Sequence, residues 1–167
     1  MEHKTYTLND GRAIKIREIK SNDKDQLGVF YSSLSEDSLK WITMMSRDEM
    51  EERFRYPDYF ISLVTIHDER VVGYGEITKD TEKSKGELNI HIHQDYQGVG
   101  LGTAMMIMLV KEAIDQLLRS INLKVAAENR KAVHLFRKFG FKEQRSTLEL
   151  YNGEKYDTLH MIKMLNR

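Results

Sequence analysis

The sequence predicts an α/β protein in which a mixed sheet carries helices on its faces. Short segments alternate apolar and polar residues in the manner of half-buried strands, and the clearest of them is 87–93. Two segments, 101–119 and 130–139, have the character of helices, the first of them apolar nearly all round, and they stand between such strands. Polar and glycine-containing turns separate these segments. Strands and helices that alternate along one chain favour a sheet with helices packed on it.

The same patterns divide the whole chain, without an internal repeat or a break in composition. We therefore expect a single domain over residues 1–167. The expected elements in order are strands 5–8 and 13–19, helices 21–34, 35–41 and 46–55, strands 60–67, 71–78 and 87–93, helix 101–119, strand 122–127, helix 130–139, and strands 141–151 and 155–165.

Turn and capping residues set the limits of the N-terminal elements. Asn9-Asp10-Gly11 is expected to be the turn of a first hairpin. Ser21 can cap the helix that follows. Ser46 and Glu49 have the spacing of a capping box, in which each side chain satisfies the free backbone N–H of the other residue. A helix is therefore expected after Ser46.

The C-terminal elements have similar limits. Residues 68–70 are polar and separate two β-rich segments, which indicates a hairpin. Residues 101–119 are apolar nearly all round, so this helix is expected to be buried against the sheet. Gly140 is expected to end the next helix, and Asn152-Gly153 is typical of a tight hairpin turn.

The composition excludes several classes of protein. The chain contains no cysteine, which removes disulfide frameworks, thiolate metal sites and cysteine nucleophiles. Its longest purely apolar run, 104–110, is far shorter than the ~20 residues of a membrane-spanning helix. The first residues lack the apolar stretch of a secretory signal. We therefore expect a cytoplasmic protein without a membrane partner.

The net charge of zero hides an uneven distribution. The chain has 26 basic and 26 acidic residues, a balance that argues against a nucleic-acid partner. Residues 18–52 carry nine acids and four bases, for a net charge of −5, whereas 123–145 carry seven bases and two acids, for +5. Each stretch is compatible with solvated helix faces. The alternative is a molecule that binds one cationic and one anionic ligand.

A glycine-rich turn lies between the alternating strand and the long apolar helix. Its sequence is Gln97-Gly98-Val99-Gly100-Leu101-Gly102-Thr103. Glycines let the backbone approach a ligand closely, and the first N–H groups of a helix attract an anion, so a phosphate cradle is expected. The alternative is a plain strand-to-helix turn. Two other phosphate-binding motifs are excluded. A Walker loop requires a lysine after its last glycine, and none follows Gly102; the dinucleotide-binding fingerprint requires a different spacing of its glycines.

The turn and its flanks resemble the GNAT superfamily of N-acetyltransferases. Gln97-x-x-Gly100-x-Gly102 resembles the family's Arg/Gln-x-x-Gly-x-Gly/Ala element, which binds the pyrophosphate of acetyl-CoA. Residues 88–96 resemble the strand before that element. Residues 123–141 resemble the second family motif, in which Asn129 would contact the pantetheine arm. The expected strand, turn and helix agree with this context.

This resemblance implies a GNAT-type mixed, splayed, mostly antiparallel sheet of six to seven strands with helices on both faces. It also implies direct transfer of an acetyl group from acetyl-CoA, a cosubstrate, to a primary amine, without a metal. The residues that it assigns to acetyl-CoA binding are Ile92, His93, Gln97, Gly98, Val99, Gly100, Leu101, Gly102, Thr103 and Asn129. The thioester oxygen would be bound at the splayed strand edge, around Ile92 and His93.

Two carboxylates are candidates for the general base. A lysine amine with a pKa of ~10.4 is neutral about once in 2,500 at pH 7, so a carboxylate with a water path would assist the reaction. Glu76 is the first candidate because it lies on the strand beside the alternating one, where some lysine acetyltransferases carry a Glu. Glu87 is the second. Either side chain could instead be an exposed strand carboxylate paired with lysine.

The general acid of many family members is missing from this sequence. Those members carry a tyrosine in the second motif, where this chain has Phe136, which cannot donate a proton. Tyr74, Tyr96, Tyr151, Tyr156 or water would have to protonate the leaving thiolate. The sequence does not choose among them.

The sequence leaves the acceptor open. Residues 8–35 most resemble protein lysine acetyltransferases, and the acidic stretch 18–52 would attract a cationic acceptor such as a protein lysine, an N-terminus or a polyamine. The alternatives are a small-molecule amine or polyamine acetyltransferase, and a non-catalytic acyl-CoA sensor of the same fold. Either a monomer or a homodimer is expected.

Two histidines, His91 and His93, lie on one face of the alternating strand. Their spacing would suit two ligands of a zinc ion. Because the chain has no cysteine and no third ligand at a suitable spacing, we expect histidines that face solvent or line a site rather than a metal centre.

Overall fold

The computed structural model describes residues 3–165. The strands are β1 (Lys4–Thr7), β2 (Ala13–Glu18), β3 (Phe60–His67), β4 (Arg70–Asp80), β5 (Lys85–Ile92), β6 (Ser120–Ala126), β7 (Lys142–Tyr151) and β8 (Glu154–Met164). The helices are α1 (Lys24–Ser32), α2 (Glu36–Leu39), α3 (Arg47–Arg55), α4 (Leu101–Asp115) and α5 (Arg130–Lys138). Short 3₁₀ turns cover Ser21–Asp23, Pro57–Tyr59 and Gln94–Tyr96.

These strands form one sheet in the order β1-β2-β3-β4-β5-β6-β8-β7. All neighbouring pairs are antiparallel except β5–β6, and α4 provides the crossover that a parallel pair requires. The expected mixed, mostly antiparallel sheet with helices is thereby confirmed. Residues 3–165 form eight strands rather than six or seven, because both arms of the N-terminal hairpin join the sheet and β1 becomes its edge.

Several local features lie where the sequence predicts them. At the start of α3, the Glu49 N–H donates to Ser46 Oγ and the Ser46 N–H donates to Glu49 Oε1, each over 3.1 Å. Asn152 and Gly153 have φ values of 50° and 83° and form the tight turn between β7 and β8. Both features depend on contacts within a few residues, which is why sequence spacing predicts them.

The long helix α4 ends earlier than expected. It stops at Asp115 rather than at residue 119. Leu117 takes a φ of 66° and turns the chain, so that Leu118 returns to the core. No helix within residues 3–165 is long and apolar enough to cross a membrane.

Apolar cores lie on both faces of the sheet. On one face α4 packs closely against β4, where a Cβ built on Gly75 would lie 3.0 Å from Leu109 Cδ1 and 3.2 Å from Met105 Cε. The missing side chain therefore allows the helix to approach the strand. On the other face, Phe30 of α1 and Met50 of α3 belong to a second buried cluster. The sheet is thus fixed between two helical layers.

The central strands β5 and β6 separate towards one end. Their pairing covers only residues 85–87 and 120–122, although β5 continues to Ile92 and β6 to Ala126. Beyond that pairing β5 stays with β4, and β6 stays with β8. The separation is the splay that the resemblance implied, and it opens the sheet between two strands.

Candidate active site

The opening between β5 and β6 leads into a cleft of about 830 Å³. Three parts of the chain form its walls: the end of β5 with the glycine turn, the start of α5, and α2 with the segment that follows it. The lining residues include Ile90, His91, Ile92, Gln94, Tyr96, Gln97, Gly98, Gly100, Gly102, Thr103, Glu128, Asn129, Arg130, Lys131, Leu135, Ser35, Asp37, Ser38, Trp41 and Ile42. A cleft of this size is typical of sites for small-molecule ligands and cofactors.

Glycines shape the turn that precedes α4. Gly98 and Gly100 have φ values of 73° and 94°, a region that other residues rarely adopt. At Gly102 a Cβ would lie 2.9 Å from Leu135 Cδ2, so this glycine allows α4 and α5 to approach each other. The first N–H groups of α4, which have no carbonyl partner within the helix, therefore border the cleft.

Basic side chains surround this helix start. Arg130 and Lys131 of α5 line the cleft, and Lys138 Nζ donates to Thr103 Oγ1 over 3.3 Å. They belong to the stretch 123–145, whose net charge is +5. Helix N–H groups and several cations together suit the phosphate groups of coenzyme A, because both favour a polyanionic ligand. The residues present therefore fit the cosubstrate that the sequence predicts.

Most residues predicted to bind acetyl-CoA lie on the cleft wall. These are Ile92, Gln97, Gly98, Gly100, Gly102, Thr103 and Asn129. The side chains of Val99 and Leu101 point elsewhere. Leu101 is fully buried in the core, and Val99 packs against that core while its carbonyl accepts from the Asn9 N–H over 2.9 Å. These two residues support the turn rather than form the wall of the cleft.

Backbone hydrogen bonds distinguish Ile92 from His93 at the end of β5. The His93 N–H donates to the Val72 carbonyl of β4 over 3.0 Å, so this N–H is not available to a ligand. Because successive amides of a strand point to opposite sides, the Ile92 N–H points to the open edge that faces β6. Gln97 Nε2 donates to the Ile92 carbonyl over 3.2 Å and ties the turn to this strand. Ile92 therefore offers the donor to a ligand in the cleft.

Glu76, the first candidate base, is held in a buried ion pair. Its Oε1 accepts from Arg53 Nη2 over 2.9 Å, and its Oε2 accepts from Arg53 Nε and from the Tyr74 hydroxyl, each over 3.0 Å. Only 7% of Glu76 is exposed, and the described lining of the cleft does not include it. These contacts are those of an ion pair that fixes α3 on the sheet, and the role of Glu76 as a base stays a prediction.

Glu87, the second candidate base, lies at the closed end of β5. It is exposed and stands between Thr78 of β4 and Asn122 of β6, where the three strands are still paired. A separate small groove, not the large cleft, includes it. The structure therefore does not bring Glu76 and Glu87 together, and the role of Glu87 also stays a prediction.

A tyrosine and a histidine meet beside the cleft. The Tyr31 hydroxyl of α1 lies 3.0 Å from His91 Nδ1, and His91 lines the cleft. Burial lowers the pKa of His91 to about 4. Burial, reinforced by the charge of Glu76, raises the pKa of Tyr31. Both groups are therefore uncharged at neutral pH, so His91 can exchange hydrogen bonds with a cationic ligand without repelling it.

His91, in β5, and His93, which follows the strand, have separate partners. While His91 contacts Tyr31, His93 Nδ1 accepts from the Asp95 N–H over 3.1 Å. Within the described part of the chain, no group of three or more histidine, aspartate and glutamate side chains is placed to hold a metal ion.

The aromatic residues considered for the general acid have other contacts. Phe136 is 5% exposed and packs in the core. The Tyr74 hydroxyl donates to a buried carboxylate. The ring of Tyr96 lines the cleft, but its hydroxyl bonds to a histidine of β3. Tyr151 and Tyr156 belong to an aromatic cluster beside Trp41. The residue that protonates the leaving thiolate thus stays open.

Comparison with known proteins identifies the family. Residues 27–141 match the sequence profile of the "Acetyltransferase (GNAT) family", and this range contains the glycine turn and the other two walls of the cleft. The chain belongs to this family. Its fold is similar to that of a GNAT acetyltransferase from Streptococcus pneumoniae, with a TM-score of 0.82 and 26% identity over 92% of this chain and 99% of the other. The fold and the family are those of an N-acetyltransferase.

Two sequence relatives match this chain over different shares of their own length. Human Cysteine-rich protein 2-binding protein is 25% identical over 105 residues, which are 62% of this chain and only 13% of the human protein. The N-terminal acetyltransferase B complex catalytic subunit NAA20 of Arabidopsis thaliana is 30% identical over 118 residues, 68% of this chain and 66% of that protein. The likeness to the human protein thus concerns a small part of its length.

Sequence reasoning assigned the stretch 18–52 to the acceptor but did not single out the residues that form the third wall, which consists of α2 and the segment after it. Gln94 fixes this wall: its Oε1 accepts from the Ser35 N–H over 3.1 Å, and its Nε2 donates to the Ser33 carbonyl over 3.0 Å. Trp41 extends the wall. These residues stand in short, irregular segments without a periodic pattern. The one available signal was that Trp41 is the single tryptophan of the chain.

The acidic stretch 18–52 contributes less negative charge to the cleft than its net −5 indicates. Asp23 is paired with Arg17, a base from outside the stretch, whereas Glu51–Lys24 and Asp25–Arg47 pair acids with bases that the net charge already includes. Of the acids in this stretch, Asp37 lines the cleft as described. Glu128, from outside the stretch, adds a second carboxylate to the wall.

Proposed function

We propose that this GNAT protein transfers an acetyl group from acetyl-CoA directly to a primary amine. The observation that carries the proposal is the glycine turn, in which left-handed Gly98 and Gly100 bring the start of α4 to the cleft. Basic side chains stand at that side, while Asp37 and Trp41 stand on another wall. This division suits an anionic cosubstrate and a cationic acceptor.

The residues of the cleft would meet part of the chemical demand. Acetyl-CoA, when bound, supplies the thioester that the amine attacks. The N–H of Ile92 would stabilise the charge gained by the thioester oxygen, as a fixed donor at an open strand edge. Apolar walls formed by Ile42 and Ile90 favour the neutral, reactive form of the amine, because burial disfavours its charged form.

We retain Glu76 and Glu87 as candidates for the general base, and each would need bound water to reach the amine. A working general base contributes about 10²- to 10⁴-fold to the rate. A fall of kcat of that size in Glu76→Gln or Glu87→Gln, measured at a temperature at which the variant is fully folded, would support the role of the residue replaced. A kcat within about twofold of the wild type would exclude it.

The acceptor we propose is a cationic amine, with a protein lysine or N-terminus as the first candidate. Asp37 and Glu128 on the cleft wall favour a cation. The relative NAA20 is named as an N-terminal acetyltransferase subunit. A small amine or polyamine is the alternative acceptor. A non-catalytic acyl-CoA sensor is the alternative function, which Phe136 favours because it removes the family's usual proton donor.

Thermal unfolding with and without acetyl-CoA tests the proposal. A ligand at about 100 times its Kd stabilises the native state by about 2.7 kcal/mol, so the melting temperature should rise. Gly100→Glu should abolish this rise because it places a carboxylate at the helix start. Gly153→Glu is the matched control, since Gly153 also has a positive φ of 83° and its missing Cβ has open space. The control should keep the rise.

The nature of the acceptor needs a transfer experiment. Labelled acetyl-CoA is incubated with the protein and a cell lysate, and label is then measured separately in protein and in small amines. Binding without any transfer would favour the sensor. Absence of a melting-temperature rise in the wild type at millimolar acetyl-CoA would contradict both functions.

A further inference from the structure

Three aromatic rings meet where the segment after α2 touches the β7–β8 hairpin. The ring centroids of Trp41 and Tyr156 are 5.0 Å apart, those of Trp41 and Tyr151 are 5.4 Å apart, and those of the two tyrosines are 6.0 Å apart. The three interplanar angles are 76°, 73° and 65°. The rings therefore stand nearly perpendicular to one another, like three walls of a corner. We call these three residues the aromatic corner.

The hairpin fixes two of these walls. Tyr151 pairs with Glu154 across the turn and Tyr156 pairs with Glu149, so both tyrosines lie on one face of the hairpin. The Tyr156 hydroxyl donates to Glu154 over 2.6 Å. Trp41 supplies the third wall from a distant part of the chain, and it also lines the cleft. The aromatic corner thus adjoins the acceptor side of the cleft.

A cation of the same chain already lies on the aromatic corner. Lys40 Nζ is 4.7 Å from the Trp41 ring centroid and 4.6 Å from that of Tyr156. An ammonium group within about 6 Å of an aromatic face is attracted by the ring quadrupole. Tyr156, and then the carboxylates of Glu154 and Glu128, raise the pKa of Lys40, which keeps Nζ charged. The contact shows that the corner accepts an alkylammonium group.

We propose that the aromatic corner is a binding site for an alkylammonium group of the acceptor, and that Lys40 fills it when no acceptor is bound. The acceptor would displace Lys40 and place one cationic group on the rings while its reactive amine enters the cleft. This assignment to the acceptor rests on the proposed acetyltransferase function, whereas binding of a cation to the corner does not. A polyamine and a lysine-rich protein segment both carry the required group.

Fluorescence of the single tryptophan reports binding of a cation to the aromatic corner directly, because Trp41 is one of its three rings and the only indole of the chain. The protein is excited where tyrosine does not absorb and is titrated with tetramethylammonium chloride. tert-Butanol, a neutral molecule of similar shape, is the control ligand, and sodium chloride corrects for ionic strength. Wild type is compared with Lys40→Met, Lys40→Arg and Lys83→Met, an exposed lysine in the turn before β5.

We expect saturable binding of tetramethylammonium and no saturable response to tert-butanol. Binding should be roughly three- to tenfold tighter in Lys40→Met, because the competing ammonium is gone. Lys40→Arg should return the affinity to that of the wild type, and Lys83→Met should leave it unchanged. Adding Tyr156→Leu to Lys40→Met should weaken binding at least about fivefold. Equal responses to the two ligands, or equal affinity in wild type and Lys40→Met, would overturn the proposal.

Kinetics then distinguish the source of the cation. KM is measured for spermidine and for a lysine-containing peptide in wild type and Trp41→Leu. We expect KM for the acceptor that uses the corner to rise roughly threefold or more, by a larger factor than any fall in kcat. An unchanged KM for both amines would overturn the assignment to the acceptor. If no amine is acetylated, the proposed function fails, and the fluorescence titration still decides whether the corner binds cations.

Discussion

The two faces of β4 differ in what holds them to their helices. On the face covered by α4, Gly73 and Gly75 leave space for side chains such as Leu109, which is fully buried and apolar. On the face covered by α1 and α3, β4 presents Tyr74 and Glu76, and Arg53 of α3 donates hydrogen bonds to Glu76. One strand therefore packs against an apolar core on one side and, on the other, against an apolar cluster that also contains a hydrogen-bonded network.

The difference separates two ways of fixing a site. Burial of apolar surface fixes α4, and with it the glycine turn, without depending on pH or on the direction of any bond. The opposite face fixes Arg53 and His91 by directional contacts between groups that are costly to leave unpaired once buried. Variants on the two faces should therefore respond differently to the loss of one partner and to pH.

The largest effect is expected from breaking the buried ion pair. Glu76→Ala leaves the guanidinium of Arg53, whose side chain is 8% exposed, without its partner. The free energy of unfolding should fall by about 3–5 kcal/mol, as measured by urea denaturation. The double variant with Arg53→Met should lose much less than the sum of the two single losses, because it removes both charges. Additive losses would show that the pair is not coupled.

A comparable test of the apolar face uses Leu109→Ala. Removing this fully buried side chain should cost about 3 kcal/mol, from lost burial and from the cavity left behind. The cost should be the same at about pH 5 and about pH 8, since the replaced group does not titrate. Urea denaturation at both pH values measures it. A loss that varies strongly with pH would mean that the two faces are not independent.

The polar face should make stability depend on pH through His91. Its pKa is about 4 in the folded protein, below the ordinary value of 6.5, so between these pH values the unfolded chain binds the extra proton. Stability should therefore fall as the pH drops from about 6.5 to about 4, by roughly 3 kcal/mol, and the contribution should not change further below that. His91→Gln should flatten this part of the curve.

The control for that experiment is His134→Gln, an exposed histidine on α5. It should keep the slope between about pH 6.5 and about pH 4, because the replacement leaves His91 and its contacts in place. If both variants lost the slope equally, His91 would not be its source.

The smallest effect is expected at the start of α3, the helix that brings Arg53 to Glu76. Ser46→Ala removes the hydroxyl that accepts from the Glu49 N–H and should cost about 1 kcal/mol in urea denaturation. Ser46→Asn, which keeps a capping acceptor, should recover most of the loss. A cost as large as that of Glu76→Ala would indicate that α3 forms only with its cap.

The sequence was informative wherever neighbours along the chain decide the structure. Alternation predicted β5, a long segment that is apolar nearly all round predicted α4, and the Asn152-Gly153 pair predicted its hairpin turn. The glycine pattern predicted the turn at Gly98 and Gly100, since left-handed backbone geometry is a local property that few residues satisfy. The family and the cleft residues of this turn followed from the same short stretch.

The partners of the polar residues were decided only by the tertiary structure. The sequence placed Glu76 on a strand but did not indicate Arg53, a helical residue 23 positions earlier, as its partner. It did not connect Tyr31 with His91, 60 positions apart, or Trp41 with the hairpin tyrosines. Periodicity shows which face a side chain occupies, and only the packing of helices and strands determines which distant side chain meets it there.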